Sequence, residues 1–318
     1  MWTHRLALAT AALTWLLLLV GGIVHGTGSS LACPDWPLCF GQFFPTMEGN
    51  VLVEHGHRLF ASAVGLFTVG LCILGLRDGR RLHRSVPGLA VFALALVIFQ
   101  GVLGGLTVIY RLPTLISWAH LCTSMLFFAT VITIASLTRH AVTGETRFQR
   151  DDMPRGVYAL LVLTTVLCYV QLALGGLVRH TGGGLACLDI PLCRGSLLPL
   201  GEHPTVIIHA VHRLNGLLFA LCLFITAPRL RHYLRRESDA ARRMLLLGLP
   251  LLTLVQIGLG ILSVWSYLGL FYVTAHLGVG ALLWGGLVVL CLGLQPTRAG
   301  SRADGGGLVQ ASGQGGVV

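Results

Sequence analysis

Four histidines are the residues of this chain whose type and spacing suggest chemistry. His57, His120, His212 and His276 each lie about two helical turns into a long apolar segment that follows a polar loop. Histidine is costly in hydrocarbon and faces the interior of a helix bundle, where imidazoles from two facing helices can bind one haem iron. The spacing predicts two haem sites, one formed by His57 with His120 and one by His212 with His276. Any single histidine could instead be a hydrogen-bonded core residue, and zinc or copper would want further protein ligands.

An acidic residue accompanies the first histidine pair only. Glu54 precedes His57 by three residues, so the two side chains lie on one helix face, whereas the second half has His209 at the matching place. A buried carboxyl group can move protons, which predicts that Glu54 is catalytic and that the two halves differ in chemistry. The alternative is a glutamate at the start of a helix, where the helix dipole favours an anion. The role of His209 stays open.

Two arginines, Arg58 and Arg213, directly follow a histidine of each pair. Arginine is the natural bidentate partner of a carboxylate, and a haem carries two propionates. Both arginines are therefore predicted to bind propionate. The alternative is that they reach up to lipid phosphates.

Nine cysteines fall into two groups. Cys33 with Cys39 and Cys187 with Cys193 are spaced alike in two outer loops that contain glycine and proline, so local disulfides are predicted there. Such a bridge could brace a loop or exchange with thiols. The others are interpreted as small core residues: Cys72, Cys122, Cys168, Cys222 and Cys291. The motif for covalent c-type haem, C-x-x-C-H, does not occur.

The composition is that of a polytopic membrane protein. The chain has 318 residues, of which 54% are hydrophobic and 11% are charged, whereas soluble domains carry about 25% charged residues. All 22 basic residues are arginine, and most lie in loops on one side of the predicted membrane. This distribution indicates topology and contact with lipid headgroups, and no nucleic-acid partner is expected.

Eight apolar runs are long enough to cross a bilayer, which takes about 20 residues each. The first is expected to be a retained helix rather than a cleaved signal peptide. Because only Arg111, Arg179 and Arg194 lie in the opposite loops, both termini are predicted to be cytoplasmic. His25, His180 and His203 lie near the outer ends of helices and are expected to be solvated. The predicted spans are 6–26, 51–76, 86–110, 112–138, 156–178, 204–227, 244–267 and 269–294.

The second half of the chain repeats the first. Gly21-Gly22 recurs as Gly175-Gly176, the two cysteine loops match, and the motifs around the four histidines recur with nearly the same spacing. Four helices in each unit make the repeats parallel, since an inverted repeat would need an odd number. The predicted fold is an all-α polytopic membrane protein made of two parallel four-helix-bundle repeats. We expect halves at 1–150 and 151–295, and a disordered cytoplasmic tail at 296–318.

These residues together resemble the haem A synthase family, of the bacterial type with two outer-loop cysteine pairs. The resemblance spans about residues 1–295 and rests on Glu54-x-x-His57-Arg58, His120, His212-Arg213, His276 and the paired cysteines. It implies an oxidoreductase of the bacterial cell membrane that oxidises the C8 methyl group of haem O. Two hydroxylations and a loss of water give the formyl group of haem A, which serves haem-copper oxidases.

The same resemblance implies roles for the individual residues. His57 and His120 would flank the substrate haem O, with Glu54 as the acid near the reacting methyl group. His212 and His276 would hold a haem b that passes electrons, and water is the preferred oxygen source. A contact with the farnesyltransferase that makes haem O, the haem O synthase, is expected. The electron acceptor is unknown and could be a quinone or an outer redox partner, and a homo-oligomer is left open.

Two other classes of protein compete with this interpretation. A b-type cytochrome that only carries electrons would explain four histidines and a duplication, but neither the single acid nor the cysteine loops. A haem or solute transporter could also have parallel repeats. Transport needs a site reachable from both sides, however, whereas all four histidines are predicted near the outer face.

Overall fold

The described part of the chain is helical. The structure is a computed structural model that describes residues 1–139, 153–234 and 240–295, so the predicted tail at 296–318 lies outside the described residues. Within them, eight α-helices are long and apolar enough to cross a membrane, which confirms the predicted all-α polytopic class. They are α1 Trp2–Gly26, α2 Gly49–Leu82, α3 Val86–Ile109, α4 Thr114–Thr138, α5 Arg155–His180, α6 Pro204–Leu234, α7 Ala240–Trp265 and α8 Leu270–Gly293.

Two helices continue at least six residues beyond the predicted C-terminal ends of their spans. The predicted second span ends at 76, but α2 runs on to Leu82 through Arg77, Arg80 and Arg81. The predicted sixth span ends at 227, but α6 continues past Pro228. Hydropathy marks where a helix leaves the hydrocarbon, whereas arginine is a good helix former and lets the helix continue into water.

The helices form two rings of four. In the first ring α1 packs against α2, α2 against α3, α3 against α4, and α4 back against α1. The second ring repeats this order with α5, α6, α7 and α8. In each ring the second and fourth helices therefore stand at diagonally opposite corners, where their inner faces are directed at the same central space.

The two rings meet through α1, α4, α5 and α8. Three indole N–H groups donate across this interface to backbone carbonyls, at distances of 2.8 to 3.0 Å. In hydrocarbon such bonds and close packing hold helices together, because lipid tails are as apolar as the side chains. The donor and acceptor residues are Trp15 with Gly278, Trp118 with Ala173, and Trp284 with Met125.

Candidate functional site

The four predicted ligand histidines lie on the diagonal helices of the two rings. His57 is on α2 and His120 on α4, while His212 is on α6 and His276 on α8. All four are half-buried, so each ring keeps an accessible edge. The ring centroids of His212 and His276 are 6.5 Å apart with planes inclined by 73°, and His57 and His120 are close enough to interact electrostatically. The structure thus brings the rings of the second pair together and places the first pair within the range of electrostatic interaction.

The separation of His212 and His276 suits a shared metal ion. An imidazole nitrogen lies about 2.0–2.1 Å from a first-row ion such as zinc, so two imidazoles on opposite sides of one ion have ring centroids about 6 Å apart. The observed 6.5 Å agrees with this separation. Among the residues that the structure describes, only these two histidines converge there, which fits an iron whose other ligands come from a porphyrin.

A glycine on a neighbouring helix faces each of these imidazoles. A Cβ atom added at Gly175 or Gly260 would lie 3.0 Å from Cε1 of the ring, so only glycine lets the ring lie as it does. The sequence repeat showed Gly21-Gly22 and Gly175-Gly176, but their role as the surface against which the rings rest was not recognised. The facing pairs are His57 with Gly21, His120 with Gly104, His212 with Gly175, and His276 with Gly260.

The histidines of α4 and α8 each interact with the backbone of a glutamine. Nδ1 of His276 lies 3.1 Å from the carbonyl oxygen of Gln256, and the backbone of Gln100 interacts with the ring of His120. A carbonyl can only accept, so Nδ1 of His276 carries the proton and its Nε2 keeps a lone pair for a metal ion. The two glutamines are repeat equivalents.

The histidine of α6 has a different surrounding. Nδ1 of His212 is buried with no partner among the described residues, and its Nε2 lies 3.4 Å from the side-chain nitrogen of Gln171. Gln171 in turn accepts a hydrogen bond of 2.8 Å from Asn215. The backbone of Gln171 also interacts with the ring of His212, as that of Gln100 does with the ring of His120. The first half has Leu17 and Phe60 at the places of these two amides, so the rings differ in polarity beside their histidines.

Glu54 is buried at the base of the first outer loop, and it has two partners. One carboxylate oxygen accepts from the backbone N–H of Cys33 at 2.8 Å, and the other accepts from Arg58 at 2.5 Å. His209, at the matching place of the second half, lies 2.9 Å from the carbonyl of Gly183 and bonds to it through Nδ1. The acid is thus tied to the loop above the first histidine pair, one helical turn from His57.

Arg58 and Arg213 hold the outer loops. Nη1 of Arg58 donates to the carbonyls of Asp35 and Leu38, both at 2.7 Å. The guanidinium of Arg213 donates in the same way to the carbonyls of three residues of the second loop: Asp189, Leu192 and Cys187. The sequence did not indicate this function, and propionate binding by the two arginines stays a prediction.

Both predicted disulfides are confirmed. Cys33–Cys39 and Cys187–Cys193 are bonded, with Cα atoms 4.9 and 4.8 Å apart. In each loop an aspartate two residues after the first cysteine accepts two backbone N–H groups. These bonds, from Gly41 and Phe40 in the first loop, keep the pKa of the Asp35 carboxyl below its ordinary value.

A histidine ring lies beside the first disulfide but, within the described part of the chain, not beside the second. A ring nitrogen of His55 lies within 4.8 Å of both sulfurs of Cys33 and Cys39, and Nε2 of His55 bonds to the carbonyl of Phe43 at 2.8 Å. Because the two sulfurs are bonded to each other, this group is a disulfide with an adjacent imidazole and not a metal site. In the second half, Ala210 packs against the disulfide instead.

The first outer loop reaches the first ring through Trp36. The indole of Trp36 lies so close to Gly105 of α3 that an added Cβ would be 2.7 Å from it. Gly105 adjoins Gly104, which faces His120. The second half has Ile190 and Ile261 at the matching places, so a large side chain of the loop and a glycine of the helix occur together only in the first half.

Of the three histidines expected to be solvated, His203 is exposed and the other two are half-buried. The ring centroids of His25 and His180 are 5.1 Å apart. The expectation treated each helix end separately, whereas the packing of the rings places these two ends side by side.

Comparison with known families agrees with this architecture. The family model of COX15-CtaA, described as "Cytochrome oxidase assembly protein", matches residues 4–51 and 48–288. Since the match covers most of the sequence, the chain belongs to this family.

Several similar proteins share one name. A protein of Bacillus pumilus named "Heme A synthase" is 30% identical over 297 residues, which cover 91% of this chain and 94% of that protein. A "Heme A synthase" of Symbiobacterium thermophilum is 33% identical over 302 residues, with the same two shares. A third, from Alkalihalophilus pseudofirmus, is 33% identical over 69% of this chain and 74% of its own length.

Proposed function

We propose that this protein is a haem A synthase, which oxidises the C8 methyl group of haem O to the formyl group of haem A. The observation that carries the proposal is the pair of facing imidazoles at 6.5 Å, repeated in type and position in the other ring. Similarity to named haem A synthases over nine-tenths of the chain supports the same function. The product would serve the assembly of a haem-copper cytochrome oxidase.

The second ring is proposed to hold a resident haem b between His212 and His276. His212 and His276 would hold the haem b, which would supply one-electron transfer when bound. The surrounding protein residues orient the two histidine rings. The carbonyl of Gln256 fixes the ring of His276, and the contacts with Gly175 and Gly260 set how closely the rings approach.

The first ring is proposed to bind the substrate haem O between His57 and His120. Each hydroxylation removes two electrons and one proton from the methyl group and adds the hydroxyl group of one water molecule, whose second proton is also released. Glu54 would accept a proton in these steps, since it is the acid one turn from His57 and has no counterpart in the other ring. The second hydroxylation gives a gem-diol, which loses water to become the formyl group.

Water is the oxygen source that we favour. With an imidazole on each side of the substrate iron, no iron position remains for O₂. The electrons would leave through haem b to an acceptor such as a quinone or an outer redox protein. Turnover under ¹⁸O₂ and under H₂¹⁸O tests this: label from H₂¹⁸O in the hydroxymethyl intermediate is expected, and label from ¹⁸O₂ would refute the water route.

The setting of the enzyme follows from the helices and the bacterial relatives. We propose that it spans the bacterial cell membrane with both termini in the cytoplasm. It would receive haem O from the membrane farnesyltransferase, because haem O is too apolar to diffuse freely through water. The two rings would then correspond to a substrate half, 1–150, and an electron-transfer half, 151–295.

The pigment of the purified protein tests the proposed function. Mass spectrometry of extracted haem should find haem b together with haem O, its hydroxylated intermediate or haem A. Glu54→Gln should keep the bound haems and lose turnover, while Glu202→Gln, an outer acid paired with Arg194 at the exposed surface, should keep both. Haem b alone, with no effect of Glu54→Gln on electron transfer, would identify an electron carrier instead.

A further inference from the structure

Three nitrogen-bearing side chains gather at the outer end of the interface between the rings. His25 is in the last turn of α1, and Arg179 and His180 are in the last turn of α5. The rings of His25 and His180 touch at 5.1 Å between centroids. The guanidinium of Arg179 reaches over to α1, where an added Cβ at Gly26 would lie 3.4 Å from Nη2. We call these three residues the axial cluster.

The axial cluster lies one helical turn outside both histidine pairs. His25 follows Gly21 by four residues, and Arg179 follows Gly175 by four, so each shares a helix face with its glycine. Those glycines are the ones that pack against His57 and His212. His25 and Arg179 are also repeat equivalents, so each half carries one nitrogen-bearing side chain above its own histidine pair.

The cluster also contacts the other helices of the interface. The backbone carbonyl of His180 accepts from Thr114 of α4 at 3.2 Å, and His180 interacts electrostatically with His120. Leu270 of α8 packs beside Gly26. The cluster is thus enclosed by α1, α4, α5 and α8 and is not directed outward at the lipid.

The side chains of the axial cluster lack acceptors. In the part of the chain that the structure describes, no hydrogen bond or ion pair joins the side chains of His25, Arg179 or His180 to an oxygen atom. Three other outer arginines differ in this respect, since Arg58, Arg194 and Arg213 are bonded to carboxylates or carbonyls. A half-buried guanidinium without an anion is unfavourable, so the arrangement calls for an anionic ligand.

We propose that Arg179, together with His25 and His180, binds the propionate carboxylates of the haems held by the histidine pairs below. A guanidinium matches a carboxylate in a bidentate manner, and propionates are the only anionic groups on the edge of a porphyrin. This inference rests on the proposed function for the presence of haem. It assigns the propionates to the interface of the rings, which would couple the two haem sites through one shared cluster.

The release of haem from the purified full chain tests the proposal. In Arg179→Gln, transfer of haem to an excess of a high-affinity apoprotein should be about 10- to 100-fold faster than in the wild type, the factor for one lost charge-assisted hydrogen bond. Arg179→Lys, which keeps the charge but loses the fork, should fall between the two. Arg194→Gln, which removes an exposed outer arginine paired with Glu202, should release haem at the wild-type rate.

Esterified haem separates charge from packing. After haem removal, the wild type and Arg179→Gln are reloaded with haemin or with its dimethyl ester, and the release rates are compared in phospholipid-free detergent. The difference between the two proteins should vanish with the ester. An equal acceleration for haemin and ester, or no acceleration for either, would overturn the proposal.

Lipid binding and the haem potential distinguish the remaining alternatives. If Arg179→Gln releases haemin normally but no longer retains phosphatidylglycerol from the membrane, the cluster binds lipid phosphate and the proposal is wrong. The midpoint potential of the bound haem gives a second reading, since loss of a nearby cation should make it more negative. If the wild type binds no haem at all, the proposed function is wrong. If the wild type binds haem and Arg179→Gln releases it at the wild-type rate, only the inference about the axial cluster is wrong.

Discussion

The contact between Gly260 and His276 allows a sharp prediction. Gly260→Ala places a methyl carbon 3.0 Å from Cε1 of His276, whereas carbon atoms in contact are normally about 3.5–4.0 Å apart. The ring or α7 must therefore move by a few tenths of an ångström. Because Nδ1 of His276 is bonded to the carbonyl of Gln256, a shift of the ring also bends that bond and turns Nε2 away from His212.

The same helix provides a matched control. Gly258 has nothing within 4 Å of an added Cβ, so Gly258→Ala should only gain helix propensity, which is worth about 1 kcal/mol. Gly260→Ala has the same gain but adds an overpacking cost of about 1–3 kcal/mol. The difference in stability between the two variants is thus expected to be about 1–3 kcal/mol, with Gly260→Ala the less stable.

Absorption spectra and thermal unfolding of the purified variants measure both effects. Gly258→Ala should keep the low-spin spectrum of a bis-imidazole haem and unfold at or above the wild-type temperature. Gly260→Ala should show a high-spin fraction and unfold at a lower temperature than Gly258→Ala. Identical spectra and identical unfolding temperatures in the two variants would refute the claim that the glycine sets the position of the imidazole.

Three more predictions follow from the outer side of the protein. Arg58→Ala should lower the free energy of unfolding by about 3 kcal/mol in thermal unfolding, because it leaves the buried carboxylate of Glu54 without its arginine partner. Arg213→Ala leaves only backbone carbonyls without a donor, so its loss of stability should be smaller. Equal losses in the two variants would contradict this reasoning. Gly105→Ala would put a methyl 2.7 Å from an indole of the first outer loop, so proteolysis of that loop should rise, while Gly101→Ala, with no neighbour within 4 Å, serves as control and should match the wild type. The pKa of Asp35 lies below its ordinary 3.8, so the ionised carboxylate stabilises the first outer loop above that pH, and this stabilisation is lost as pH falls through the folded-state pKa. Pepsin cleavage of the loop should therefore increase below about pH 4 in the wild type but not in Asp35→Asn. A flat wild-type profile would argue against this role of Asp35.

Some properties of this protein follow directly from the amino-acid sequence. The eight spans follow from runs of apolar residues long enough to cross hydrocarbon. The pairing of His57 with His120 and of His212 with His276 follows from the repeat, and the disulfides Cys33–Cys39 and Cys187–Cys193 follow from short spacing within one loop. None of these inferences requires the rotation of any helix about its axis.

Other properties depend on helix rotation, which the sequence did not reveal. Three contacts depend on which side of a helix points inward: that of Gly175 with His212, that of Arg213 with the second outer loop, and that of His25 with His180. In a soluble bundle the polar and apolar faces would indicate that side. Here the surface that faces lipid is as apolar as the core, and successive side chains turn by about 100°. The sequence therefore determined the helices and the paired histidines, whereas only the packing of the two rings decided which residues surround each histidine and where His25, Arg179 and His180 meet.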